Sequence, residues 1–164
     1  RRIPTAGLHT VLTWSVIPPG DFVCTRMTRG LPLFLVGRRK EKPFQGMWFV
    51  PGGRINRGEA HMNALNRQVE RELGVKIDNP GVHVKFIGLL DVLNPAGEGT
   101  GDDARPEWHS IWHFFEIEII DPSLQPEAKA ENDEIKWFEY ILPEFPEPVC
   151  QALQMLGFKH GPPI

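Results

Sequence analysis

Between Glu59 and Leu73 the chain carries neither glycine nor proline, although 16 glycines and 16 prolines are spread over its 164 residues. Inside that stretch Met62, Leu65, Val69 and Leu73 step by three, four and four, the period of one helical stripe. Gly74 follows where a residue free to turn left-handed commonly ends a helix. The spacing therefore predicts an amphipathic helix over 59–73 with one buried side. A second helix is expected from Glu147 to Leu156, with Pro148 tolerated in its first turn.

The segments around these helices read as strands. His9 to Ile17 is β-branched and aromatic and ends at Pro18-Pro19-Gly20, and Leu33 to Val36 is stopped by Gly37-Arg38-Arg39. Lys85 to Leu93, His109 to Ile120 and Lys136 to Ile141 are three further strand candidates. Asn94 to Trp108, rich in Gly, Asp and Pro, is too polar for a core and is expected to be a mobile loop over a site. Strands and helices in this order imply α/β layers about a mixed sheet, formed by residues 1–164 as one domain.

Composition narrows the function classes. Hydrophobic residues at 41% and charged residues at 24% exclude wholesale disorder. A net charge of −3 argues against a nucleic-acid binder held by bulk electrostatics. No apolar run reaches the roughly 18 residues that cross a bilayer. The segment Arg1-Arg2-Ile3-Pro4-Thr5 lacks the apolar stretch of a signal peptide, and Cys24 and Cys150 read as reduced thiols. A cytoplasmic protein is expected.

On a helical wheel Glu72 falls about 20° from Leu65, and Gln68 about 40° beyond it, so both sit beside the apolar stripe. Glu70 projects to the far side with Asn63 and Arg67. A carboxylate at the margin of a buried stripe is costly unless a cation or donor meets it. An ion pair from Glu72 to Arg38 or Arg39 would satisfy that need. So would a metal. Just before the helix, Trp48-Phe49-Val50-Pro51 runs into Gly52-Gly53-Arg54, where glycines allow a sharp bend and an unobstructed carbonyl. One carbonyl and one helix carboxylate make a reasonable start for a hard-cation site.

The spacing Gly53, five residues, Glu59, seven residues, Arg67-Gln68-Val69-Glu70-Arg71-Glu72-Leu73-Gly74-Val75 resembles the Nudix box, G-x5-E-x7-R-E-U-x-E-E-x-G-U. Gln68 and Arg71 stand where the box has glutamates. The flanks, Gly37-Arg38-Arg39 and Pro43-Phe44-Gln45-Gly46-Met47-Trp48-Phe49-Val50-Pro51-Gly52-Gly53-Arg54, look like the GDP-mannose mannosyl hydrolase branch, which lacks the same two acids.

That resemblance implies a Nudix α/β/α sandwich and hydrolysis of a nucleoside diphosphate linked to a second moiety. Its cofactor would be Mg²⁺ or Mn²⁺, one per subunit because two box acids are missing. By the same resemblance Gly52 and Glu72 bind the metal, Arg39 contacts the diphosphate, and Glu59 and Arg67 pair to fix the loop on the helix. Aligned on Trp137, Glu131 takes a metal-ligand place and Asn132 takes the place of the branch's histidine base. Because an amide is no useful base, Glu131, Asp133 and Glu134 are the alternatives. His109 and His113 share one face of a strand and read as structural. The expected substrate is a nucleotide-sugar, cleaved to NDP and free sugar. Attack at phosphorus in an NDP-sugar, ADP-ribose or NTP, or binding without turnover, stay as alternatives. A homodimer is expected from the resemblance.

Overall fold

A computed structural model describes residues 7, 10–11, 15–41, 44–94 and 108–162. In it seven strands form one mixed sheet: β1 (Pro19–Thr28), β2 (Leu31–Arg39), β3 (Trp48–Phe49), β4 (Gly52–Arg54), β5 (Val82–Asn94), β6 (Trp108–Ile119) and β7 (Asn132–Phe138). The helices are α1 (His61–Leu73) and α2 (Glu147–Met155). Antiparallel β5 and β6 lead to a parallel β6–β1 pair, and β1 pairs antiparallel with β2. Along β2, β7 pairs Phe34 to Arg39 while β1 pairs Leu31 to Leu35. The two overlap, so they occupy opposite edges of the strand. β1 then diverges from β2, and β4 and β3 continue its pairing and that of β2 near the site.

Strand alternation divides the core into two layers. Phe22, Cys24, Leu35, Phe115 and Ile117 meet Leu65, Val69 and Leu73 of α1 on one face. Val23, Phe34, Val36 and Phe114 meet Val149, Ala152 and Leu153 of α2 on the other. Helices on both faces of a mixed sheet give the expected α/β sandwich. Phe22, Phe34 and Phe114 are fully buried, each contributing roughly 1.5–3 kcal/mol by leaving water.

Several expected boundaries move. The helix begins at His61 rather than Glu59, because Glu59 closes a turn with Asn56 and Ala60 is extended. Met62 is exposed and does not join the stripe, while buried Ala64 does. Gly74 ends α1 as expected, with φ 70° and its N–H donating to Glu70 O. The strand expected at His9 to Ile17 is not seen in its described part: Thr10 and Val11 are helical, and Ile17 makes a single parallel bridge to Ser110. Residues 9 and 12–14 lie outside the described residues. Pro19-Gly20 begins a strand instead of ending one. Proline is tolerated as the first residue of a strand, because no neighbour there needs its missing N–H. The last strand starts at Asn132 rather than Lys136, and Ile141 makes only a bridge to His160. Its acidic beginning reads as loop but pairs with the arginine end of β2, setting Glu134 opposite Arg38. Asn94 and Trp108 pair as the last rungs of the β5–β6 ladder. The loop expected between them, 95–107, lies outside the described residues.

Candidate active site

The segment entering α1 is fixed by one arginine. Arg67 donates from Nε to Glu59 Oε1 and from Nη2 to Glu59 Oε2, both at 2.7 Å, and Nη2 also reaches Arg54 O at 3.1 Å. Glu59 Oε2 in turn accepts the Asn56 N–H at 2.9 Å. These bonds pull the Glu59 carboxyl down to about 2. They clamp residues 54–59 onto the middle of the helix.

Gln68, where the box has an acid, does work that a carboxylate could not. Its Nε2 donates to Arg54 O at 3.3 Å, which needs an N–H. Gly53 lies directly over it. A Cβ at that glycine would stand 2.5 Å from Gln68 Nε2, so a side chain there would push the Gln68 amide aside.

Glu72 is the odd acid of the helix, and it is 1% exposed. Its Oε2 accepts from Asn132 Nδ2 at 3.0 Å and from the Glu131 N–H at 3.3 Å. Its Oε1 accepts from Arg71 Nε at 2.9 Å and Nη2 at 2.6 Å. The anticipated partners Arg38 and Arg39 are not the ones it takes. Burial pushes the Glu72 carboxyl above the usual carboxylate range, against the pull of Arg71.

Glu131 joins this group from the other side. Its Oε1 accepts from Arg71 Nη2 at 3.1 Å, and its Oε2 lies 3.8 Å from Arg39 Nη2. Arg39 also donates to Glu41 O at 3.4 Å, and its guanidinium lies 5.3 Å from the Phe49 ring centroid. Glu72, Glu131 and Arg39 are thereby brought together from α1, the turn before β7 and the end of β2. Asn132 is buried against Gly37, where a Cβ would overlap its Oδ1, and it acts as a donor. Asp133 is exposed and lies 3.7 Å from Lys40 Nζ, while Glu134 is exposed opposite Arg38.

The sequence reading missed Asp21. It sits on β1 in register with Gly52, and a Cβ at Gly52 would overlap its Oδ1. Its Oδ2 is buried with no hydrogen-bond partner among the described residues. Burial pushes this carboxyl up to about 8, opposed by the positive charge of Arg39 and reinforced by the negative charge of Glu131. An aspartate one residue after Pro-Gly gives no sequence signal for this; only the β1–β4 pairing brings it to the site. The two strand histidines lie apart from these carboxylates. His109 Nε2 is 2.8 Å from Asp91 Oδ1, and the His113 ring packs against His61 at 4.7 Å between centroids. Burial and the neighbouring imidazole hold His113 below its usual range.

The donor set suits a hard divalent cation. Two carboxylate oxygens, one each from Glu72 and Glu131, already converge on a single positively charged nitrogen, Arg71 Nη2. Oxygen donors, with water and substrate oxygens to complete the shell, are the chemistry that Mg²⁺ and Mn²⁺ favour.

Comparisons with known proteins identify the family and the fold. The family model for the NUDIX domain matches residues 18–147. The low-salt glycan biosynthesis protein Agl8 of Haloferax volcanii is 30% identical over 105 residues, covering 64% of this chain and 62% of Agl8. An ADP-ribose pyrophosphatase of Methanocaldococcus jannaschii is 27% identical over 118 residues, covering 63% of this chain and 66% of that protein. The chain thus spans slightly less than two thirds of each relative. The crystal structure of the MutT protein of Methanosarcina mazei superposes with a TM-score of 0.62 at 17% identity, covering 87% of this chain and 93% of that one.

Proposed function

The chain belongs to the Nudix family of hydrolases, and we propose that it cleaves a nucleoside diphosphate sugar such as GDP-mannose to NDP and free sugar. The observation that carries this reading is the reduced acid set. Of the box positions on α1, only Glu72 points a carboxylate at Glu131, while Gln68 is spent on Arg54 O and Arg71 is a cation. Such a site suits one divalent cation held by Glu72, Glu131 and the Gly52 carbonyl. When bound, the cation neutralises diphosphate charge and polarises the bond to the departing group. The glycan role in Agl8's name accords with a sugar substrate.

The residues divide the work as follows. Arg39 binds the diphosphate and stabilises the negative charge that builds on the leaving phosphate oxygen. Because Glu131 holds the cation in this scheme, and a metal-bound carboxylate is a poorer base, the proton of the attacking water goes to Asp133 or Glu134. Both are exposed, and Asp133 lies 3.7 Å from Lys40 Nζ. Water oxygen bonds to the anomeric carbon as the carbon–oxygen bond to the diphosphate breaks. The electron pair leaves with NDP. The 164 residues act as one domain in this scheme. Among the described residues no helix is long and apolar enough to cross a membrane. The buried, unpaired Cys24 and Cys150 fit a reducing cytoplasm.

One relative favours a second reading. The Methanocaldococcus jannaschii relative is an ADP-ribose pyrophosphatase by name, so attack at phosphorus, giving NMP and a sugar phosphate, is the competing outcome. Turnover of GDP-mannose in ¹⁸O-water with mass-spectrometric product analysis separates the two. Label in mannose supports attack at carbon; label in GMP or mannose phosphate refutes it.

A further inference from the structure

We propose that Arg71 is a built-in competitor for the divalent cation, so that its guanidinium and the metal exclude each other at Glu72 and Glu131. The proposal rests on the metal site described above and names what sets its affinity. Adjacent residues of a helix do not face each other, so the Arg71–Glu72 contact is not an automatic consequence of sequence. The side chain has to fold back over the helix, and in doing so it also reaches Glu131, sixty positions further along the chain.

The Glu72 carboxylate cannot easily yield. Glu72 is 1% exposed, and its Oε2 is held by Asn132 Nδ2 and the Glu131 N–H. Its Oε1 is the oxygen left for a cation, and Arg71 occupies that oxygen with two N–H groups. The arginine side chain, by contrast, is 42% exposed and can swing into water. Desolvating a buried carboxylate is costly, so some positive charge must sit beside Glu72 whether or not metal is bound. Arg71 supplies it in the metal-free protein. A divalent cation supplies it once the arginine has left. The pairing therefore keeps the empty site folded and lowers its affinity for metal.

Mn²⁺ binding, followed by the loss of the free-ion electron paramagnetic resonance signal, tests this in wild type, Arg71→Gln, Arg38→Gln and Glu72→Gln. Arg38 is an exposed arginine on β2 that donates to Gly46 O, and it controls for a general change of charge. Arg71→Gln is expected to bind Mn²⁺ at least about tenfold more tightly, which is ~1.4 kcal/mol, with Arg38→Gln near wild type. Unchanged affinity in Arg71→Gln, or an equal gain in Arg38→Gln, overturns the competition. Wild-type Mn²⁺ affinity in a folded Glu72→Gln overturns the metal site itself, a result distinguishable from the first.

Discussion

Replacing Arg67 by alanine removes three hydrogen bonds at once: the two-pronged contact with Glu59 and the bond to Arg54 O. A hydrogen bond to a charged partner contributes roughly 1.5–3 kcal/mol when shielded from water. Arg67 and Glu59 side chains are 34% and 16% exposed, so solvent screening discounts that figure. The remaining loss is about 2–3 kcal/mol for the set. In a chain of this length each kcal/mol moves the melting temperature by roughly 2–4 °C, so a fall of about 5–10 °C is expected. The effect should depend on pH in a specific direction. Glu59 is held down to about 2 from an ordinary 4.5. Its contribution is complete above about pH 4.5 and is lost as pH falls toward 2, because the unfolded chain takes up the proton first. Circular-dichroism melts of wild type and Arg67→Ala should therefore show a full gap near neutral pH that narrows below about pH 4.5. Arg67→Lys should recover only part of it, since an ammonium cannot grip both carboxylate oxygens. A gap under about 2 °C at neutral pH, or one that does not narrow in acid, would refute the assignment of this pair as the clamp of the loop.

Two further outcomes are expected. Arg39→Ala should lower kcat by on the order of 10²-fold while raising KM less, because its contact with the diphosphate strengthens as charge develops; steady-state kinetics showing a change in KM alone would make Arg39 a binding residue only. Asp21→Asn should stabilise the metal-free protein increasingly as pH rises from about 4 to 8, since the folded carboxyl stays protonated up to about 8 while the unfolded one ionises near 3.8. The slope limit is ~1.4 kcal/mol per pH unit, and urea unfolding in chelator at about pH 5 and pH 8 measures it. A stabilisation that does not change between those two pH values would show that Asp21 is not held neutral.

The α1 helix, its stop at Gly74 and the unusual position of Glu72 were legible because each depends on neighbours within a few turns. Periodicity reports which side of a helix is buried, and a carboxylate on that side announces a need for a partner. The Glu59–Arg67 pair was implied by the resemblance to the Nudix box rather than by periodicity, and the two side chains meet across a single loop and helix. The identity of each partner was not. Glu72 takes Asn132 and Glu131 from a turn sixty residues away, and Arg71, folded back over the helix, bridges Glu72 and Glu131. Asn132, set by alignment at the place of a base, is a donor that holds Glu72, because Gly37 leaves room for it against β2. Asp21 was invisible for want of any local pattern; strand pairing with Gly52 buries it, and burial changes its chemistry. Local sequence thus determined the helix and the box. Register between distant strands decided which charges meet, because burial and pairing depend on neighbours brought together only when the sheet closes.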